Sequence, residues 1–176
     1  MPRSLWKAWR ANVSGLAAIE FAMIAGFLSI AVLNVTDIAE FYFDKLQVDN
    51  ATQMGAQAAW AACDLNHVPA TVRCSGFSDA VSRAVHSTSL GNAVSLQSGY
   101  PAEGYYCVGT SGALQYMSDV NSAPVDCSAA GSSSTSPADY VKIQTTYTYT
   151  PIFGGISIAS VLPTSITSTS WVRLGG

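Results

Sequence analysis

The sequence predicts an α+β protein in which one long N-terminal helix packs on a small antiparallel sheet, accompanied by a second short helix. No proline interrupts residues 16–62, so the long helix is predicted to run through that range. Apolar and polar side chains alternate along residues 139–150, and a Ser/Thr-rich run follows at 165–174; both patterns are typical of strands. Residues 91–137 are rich in Gly, Ser, Pro and Tyr, which predicts short strands and loops.

The first part of the long helix is apolar enough to cross a membrane. Residues 16–33 hold 18 residues and a single charge, which is long enough to span a hydrocarbon core. Three basic side chains precede this run and three acidic ones follow it: Arg3, Lys7 and Arg10, then Asp37, Glu40 and Asp44. Because a basic flank stays cytoplasmic, the body of the chain is predicted to be exported. The predicted organisation is a basic leader (1–15), a membrane part (16–36), an amphipathic continuation (37–62) and an exported domain (63–176).

The continuation of the helix shows an amphipathic pattern. Ile38, Tyr42 and Leu46 share one face at four-residue spacing. A stripe of apolar or small residues continues it: Phe41, Val48, Gly55, Ala59 and Ala62. We interpret the small-residue stripe first as close packing against the chain's own sheet, and second as an interface between subunits.

Two shorter segments complete the predicted architecture. Residues 77–85 repeat apolar side chains at helical spacing, and Ser75 is a candidate cap for this second helix. Residues 151–163 form an uncharged apolar run that is bounded by prolines and too short to span a membrane. Packing in the core on the long helix is the favoured interpretation of this run, and contact with the outer leaflet of the membrane is the alternative.

The cysteines indicate an oxidising compartment. All four lie beyond the apolar segment, and an even number on the exported side predicts two disulfides. We expect pairing between sequence neighbours, Cys63 with Cys74 and Cys107 with Cys127; reduced buried thiols are the alternative. A metal site is not expected, because the chain has no C-x-x-C pair and neither histidine lies at ligand spacing.

Charge and motifs argue against nucleic-acid binding and catalysis. The net charge is −3, and the chain without residues 1–15 has five basic and eleven acidic side chains. Such a body cannot displace the counterions of phosphates, so nucleic acid is not an expected partner. Neither His67 nor His86 lies in a nucleophile motif, residues 109–112 lack the G-x-S-x-G spacing, and no phosphate-binding loop follows a strand. We therefore expect neither an enzyme nor a cofactor.

Glu20 is the unusual residue of the apolar segment. A carboxylate near the membrane interior costs about 2.5–3.5 kcal/mol on insertion scales, so it indicates a function. Its presence, and the lack of a clean A-x-A site at the end of the apolar segment, argue against an ordinary secretory signal. Cleavage after Gly15 would create a cationic amine on Leu16, one helical turn from Glu20. The carboxylate could then neutralise its own amine or that of a neighbouring subunit.

The run from Gly15 through Leu-Ala-Ala-Ile to Glu20 and Phe21 resembles the G-x-x-x-x-E-F/Y processing site of TadE-like pseudopilins, which belong to the Tad (tight adherence, Flp-type) pilus system. The Ala-rich stretch 50–59 resembles the helix that follows the anchor in that family. The resemblance covers about residues 10–62, and beyond it only the Tyr-x-Tyr-x-Pro pattern at 147–151 agrees. The chain departs from the family in having Ser14 before the cleavage site, where many members have Arg.

The resemblance implies a structural role in an assembled pilus. A prepilin peptidase would cleave between Gly15 and Leu16 and would recognise Glu20 and Phe21. The implied partners are this peptidase, other pilin and pseudopilin subunits, the Tad inner-membrane assembly platform and the lipid bilayer. The implied location is a single pass through the bacterial inner membrane, with a cytoplasmic N-terminus and a periplasmic body that becomes extracellular in a pilus used for adhesion. The main alternative is an uncleaved, membrane-anchored periplasmic binding or adhesion module, and a tethered periplasmic hydrolase is a weaker one.

Overall fold

A computed structural model describes residues 14–63, 67–132 and 134–175 of the chain. The predicted leader therefore lies outside the described residues, apart from Ser14 and Gly15. The fold is α+β, as predicted. Its helices are α1 (Ser14–Ala61), α2 (Ala70–Arg73) and α3 (Phe77–Val85), and its strands are β1 (Ser95–Leu96), β2 (Ala102–Val108), β3 (Leu114–Ser118), β4 (Ala138–Thr148) and β5 (Ser165–Gly175).

The chain divides into two compact units that share helix α1. The first unit contains α1 up to Tyr42 together with Thr150–Leu162. The second contains α1 from Phe43 onward, the short helices and all five strands.

The sheet of the second unit is antiparallel and centred on β4. Strand β5 pairs with one edge of β4 along ten residue pairs, from Thr148 opposite Ser165 to Asp139 opposite Gly175. Strands β1 and β2 pair with the other edge of β4, and β3 pairs with β2. The two strands predicted at 139–150 and 165–174 are therefore confirmed, and they are neighbours in the sheet.

The core of the second unit lies between the sheet, α1 and α3. Val141, Ile143 and Thr145 are buried on one face of β4, whereas the residues between them are only half-buried, so the predicted alternation is confirmed. A Cβ on Gly55 of α1 would lie 2.9 Å from Val85 Cγ2 and 3.5 Å from Ile143 Cγ2. The helix therefore needs glycine at this position for its close approach to α3 and the sheet.

The stripe of apolar or small residues packs within the domain, as first interpreted, for three of its five members. Val48, Gly55 and Ala59 are buried and Phe41 is half-buried, but Ala62 is exposed at the end of α1. Tyr42 and Leu46, which were predicted to share one face of the helix, are 59% and 62% exposed. The buried face of α1 instead begins with acidic residues.

Those acidic residues are Asp37 in the first unit and Asp44 in the second. The carboxylate of Asp37 accepts hydrogen bonds from the backbone of residues 152 and 153. The carboxylate of Asp44 accepts one from the hydroxyl of Tyr147, and burial raises the pKa of Asp44 more than this bond lowers it. The hydrogen-bond partners of Asp37 and Asp44 therefore help to decide which face of α1 is buried.

The cap of the second predicted helix also differs from the expectation. Gly76, not Ser75, occupies the N-cap of α3, with φ of 78°, and no side chain hydrogen-bonds to the end of the helix. This left-handed backbone conformation favours glycine, so the geometry of the turn decides the position of the cap. Helix α2, which was not predicted, precedes this turn.

Two disulfides have the predicted connectivity. One joins Cys63 to Cys74, with Cα atoms 5.8 Å apart, and links the end of α1 to the residue after α2. The other joins Cys107 to Cys127, which are buried with Ala130 and flanked by Met117. The second bridge therefore forms a small core of its own under the loops of residues 109–131.

Candidate processing site and membrane helix

The four residues of the predicted processing site lie on consecutive turns of α1. Gly15, Leu16, Glu20 and Phe21 are all exposed, and no atom would lie within 4 Å of a Cβ on Gly15. Residues four apart on a helix lie on the same face, so the Leu16 nitrogen and the Glu20 carboxylate are one turn apart. The part of the motif that the structure describes is therefore exposed on the surface of α1.

The apolar part of α1 has the properties of a membrane span. Its 18-residue window has a mean hydropathy of 2.3, and none of that window is buried inside the protein. An 18-residue helix is about 27 Å long, close to the thickness of a hydrocarbon core. By length and composition α1 can cross a membrane, and its large side chains all point outward: Leu16, Ile19, Phe21, Met23, Ile24, Phe27, Leu28, Ile30 and Val32.

Two hydroxyl side chains within and just after the span hydrogen-bond to carbonyls of the helix itself. Ser29 donates to the carbonyl of Ala25 at 2.8 Å, and Thr36 donates to that of Val32 at 3.0 Å. Such bonds cost little in lipid because no donor is left without an acceptor. Glu20 has no partner among the described residues. A carboxylate in such surroundings is expected to seek a cation.

A second polar cluster lies just beyond the apolar run. Asp37 is fully buried, and its Oδ1 accepts from the backbone nitrogens of Ile152 at 3.1 Å and Phe153 at 3.3 Å. One turn earlier, Asn34 Oδ1 accepts from the nitrogen of Ile158 at 2.7 Å. These bonds hold residues 150–162 against α1. They involve the segment for which core packing was the favoured interpretation.

That interpretation of residues 151–163 is wrong for four of the large side chains, whereas Phe153 and Leu162 are half-buried. Ile152, Ile156, Ile158 and Val161 are exposed, whereas Ser157 and Ala159 are buried. The segment contacts the helix through its backbone because Asp37 and Asn34 offer acceptors there. Neither the role of Asn34 nor the partner of Asp37 could be predicted, since nothing local in the sequence indicates a bond to so distant a segment.

Two carboxyl groups meet in the second unit. Glu103 on β2 accepts the backbone N–H groups of Ala70 and Thr71, each at 2.6 Å, and so caps the start of α2. Asp139 on β4 lies beside it, and no described donor reaches either oxygen of Asp139. Burial, followed by the Glu103 charge and a hydrogen bond to Glu103, raises the pKa of Asp139 to about 7. A proton on Asp139 lets the two carboxyls hydrogen-bond.

An aromatic cluster covers the outer face of the sheet. The ring of Tyr106 contacts those of Tyr116, Tyr140 and Trp171 edge-on, at 5.4, 6.1 and 4.9 Å between centroids. Lys142 Nζ lies 5.2 Å from the centroid of Trp171. The density of Tyr in residues 91–137 was noted from the sequence, but its clustering depends on the pairing of β2 with β3 and β4.

A groove of about 450 Å³ lies in the second unit, between α1 and the edge strand β5. Its lining residues on α1 include Gln53, Gln57 and Trp60, and those on β5 include Trp171 and Arg173. No group of three or more metal-ligating side chains occurs in the described part of the chain.

The comparisons with known proteins add no relative. The chain matches no family model, no curated protein and no solved structure. The resemblance of residues 15–21 to a pilin processing site therefore remains a prediction from the motif.

Proposed function

We propose that this chain is a TadE-like minor pseudopilin that a prepilin peptidase cleaves between Gly15 and Leu16 before the chain joins a Tad/Flp-type pilus. The observation that carries the proposal is the placement of Glu20. It is a single acidic residue on an exposed apolar helix, at the fifth position after a small residue that follows a basic segment. An ionisable residue within a membrane-spanning segment is by default a candidate functional residue.

The pairing of charges gives the proposed cleavage a physical purpose. Cleavage would leave a cationic amine on Leu16, at the end of an apolar helix. A Glu20 carboxylate from a neighbouring chain would neutralise this amine in a low dielectric, where an isolated charge is costly. The pair would also fix the axial position of one helix against the next, because both charges must meet at the same depth.

Exposed apolar residues beyond the span support an assembled state. Tyr42, Phe43 and Leu46 are each more than half exposed, although they follow the membrane segment along α1. A helix that works alone in water would bury such a run against its own domain, whereas an interface between subunits would cover it. We therefore place the proposed subunit interface on this exposed run, and not on the small-residue stripe.

The direction of insertion follows from charge and cysteine chemistry. Positive side chains before the span favour a cytoplasmic N-terminus. The two disulfides lie after the span, and disulfides persist in an oxidising compartment such as the periplasm. Both arguments favour an inner-membrane protein with a periplasmic domain.

The test of this function is Glu20→Gln in the native host, with Glu20→Asp as the matched control that keeps the charge. Glu20→Gln should insert into the membrane as well as the wild type, since removing a charge lowers the insertion cost. Its incorporation into sheared pili should fall at least about tenfold, since one lost ion pair in low dielectric exceeds 1.4 kcal/mol. Glu20→Asp should retain part of the incorporation. Normal incorporation of Glu20→Gln would contradict the proposed role.

The second candidate is an uncleaved, membrane-anchored binding module. The specific observation in its favour is the groove between α1 and β5, whose lining includes the exposed Trp60 with Gln53 and Gln57, since an aromatic ring beside amides suits stacking and hydrogen bonding of a ligand. The two functions differ in one measurable property. The binding module keeps residues 1–15, and the pseudopilin loses them.

A further inference from the structure

The segment Thr150–Leu162, called here the juxtamembrane loop, exposes a set of large apolar side chains. Ile152, Ile156, Ile158 and Val161 are 58%, 67%, 60% and 84% exposed. The segment carries no charged residue. Contiguous apolar surface of this kind on a folded protein marks contact with another apolar phase or partner.

The loop is fixed at the end of the apolar run of α1. Asn34, which binds the backbone of Ile158, directly follows the apolar residues 16–33. Asp37, which binds the backbone of Ile152 and Phe153, lies about 4.5 Å further along the helix axis. The loop is thereby held at the level where the helix would leave the hydrocarbon core.

The backbone of the loop is already hydrogen-bonded, which suits a location near lipid. The nitrogens of Ile156 and Ser157 both donate to the carbonyl of Phe153, at 3.1 Å each. A 3₁₀ turn at Ile158–Val161 follows, and the Ser157 hydroxyl caps it by accepting from the nitrogen of Ala159. Backbone groups paired in this way can approach the acyl chains at low cost.

We propose that the juxtamembrane loop inserts its isoleucines and Val161 into the periplasmic leaflet, at the boundary between headgroups and acyl chains. The apolar surface of the loop would then continue the exposed apolar surface of α1. A lipid surface fits better than a neighbouring subunit because the loop is uncharged and lies at the predicted boundary of the bilayer. Segments of this kind enter the boundary by about 5–10 Å.

This contact would give the chain a second attachment to the bilayer. A lone helix is free to rotate about its axis and to slide along the membrane normal. A loop that is bound to Asn34 and Asp37 and embedded on one side would restrict both motions, and so would fix the depth of Glu20. The inference goes beyond the pilus role, since it requires only that α1 spans the membrane and not that the chain is cleaved or assembled.

The experiment uses the full chain with its disulfides intact, reconstituted into vesicles of phosphatidylethanolamine and phosphatidylglycerol. A nitroxide is attached at Ile156→Cys or Val161→Cys, and at Val125→Cys as the matched control. Val125 is 96% exposed, apolar and located in the other unit. Collisions of the nitroxide with oxygen, which concentrates in lipid, and with a nickel chelate, which stays in water, report its depth.

Labels at 156 and 161 should show several-fold lower nickel accessibility than the label at 125, at a depth of about 5–10 Å below the headgroups. Adding Ile152→Asp and Ile158→Asp should restore the accessibility of the label at 161 to the nickel chelate. Nickel accessibility equal to the control would overturn the proposal. Protection that disappears when most vesicles hold a single chain would also overturn it, because a neighbouring subunit would then cover the loop. Loss of cleavage after Gly15 leaves this readout unchanged, so the two proposals fail separately.

Discussion

Replacement of Asp139 with asparagine tests the electrostatics of the sheet domain. Asp139 is 4% exposed, and its pKa is raised to about 7 by burial and by Glu103. An aspartate in an unfolded chain has a pKa of about 3.9. Between these two values the folded chain holds more protons than the unfolded one, so the stability of the wild type should fall as the pH rises from about 4 to about 7.

The size of the effect follows from the same shift. One pKa unit corresponds to about 1.36 kcal/mol, which sets an upper limit of about 4 kcal/mol for Asp139. Relaxation around the charged form reduces this cost, and we expect about 2 kcal/mol. The amide of D139N can donate to Glu103 as the protonated acid does. The variant should therefore be more stable than the wild type at pH about 8 and should unfold about 4–8 °C higher.

The assay is thermal unfolding of the detergent-solubilised full chain across this pH range. Asp126→Asn is the control, because the pKa of the exposed Asp126 is lowered by hydrogen bonds from Ser128. Its effect should be small and opposite in sign: a slight loss of stability at neutral pH that vanishes in acid. The same dependence of stability on pH in D139N and the wild type would contradict the raised pKa of Asp139.

Two further predictions concern the packing of α1 in the second unit. Gly55→Ala should lower the free energy of unfolding by about 1 kcal/mol, because an overpacking cost of about 1–3 kcal/mol exceeds the gain in helix propensity of about 1 kcal/mol. Val85→Ala should offset part of that loss when it is combined with Gly55→Ala, because it removes the methyl group that a Cβ at 55 would meet at 2.9 Å. Strictly additive losses of unfolding free energy in urea would contradict this contact. The buried hydroxyls of Thr52 and Thr145 are 2.6 Å apart and hydrogen-bonded. Thr52→Val should lower the free energy of unfolding by about 1–3 kcal/mol, because it leaves the Thr145 hydroxyl without this partner. The further change Thr145→Val should recover most of the loss, and no recovery would refute the role of this pair.

Local patterns were sufficient to predict much of the fold. The alternation along β4 has a period that only a strand provides, and its buried face is the one predicted. The length of α1 followed from the absence of proline across residues 16–62, and both disulfides join sequence neighbours. Each of these features depends on residues close together in the chain.

Features that depend on distant partners could not be predicted. The spacing of Tyr42 and Leu46 did not reveal that they are exposed, whereas Asp37 and Asp44 are buried because they accept hydrogen bonds from the region of residues 147–153. The N-cap of α3 depends on a positive φ at Gly76, which a list of preferred capping residues does not reveal. Both errors arise where a polar contact or a backbone angle outweighs side-chain hydropathy.

The candidate site shows the same division. The run from Gly15 to Phe21 is a linear motif, so the sequence alone could indicate it. The bonds of Asn34 and Asp37 to the juxtamembrane loop join positions more than a hundred residues apart. The apolar loop itself was visible as an uncharged run between prolines, but its outward orientation follows only from which backbone groups the helix binds.

Determination of the N-terminus of the mature protein tests the central claim most directly. The chain is purified from the membranes and sheared pili of its native host and sequenced from its first residue. Gly15→Val, in which a β-branched residue replaces the small one before the proposed cleavage site, is the control. The account predicts that the wild type begins at Leu16 and that the variant retains Met1. A mature wild-type pool that still begins at Met1 would contradict the pseudopilin function and favour the anchored binding module.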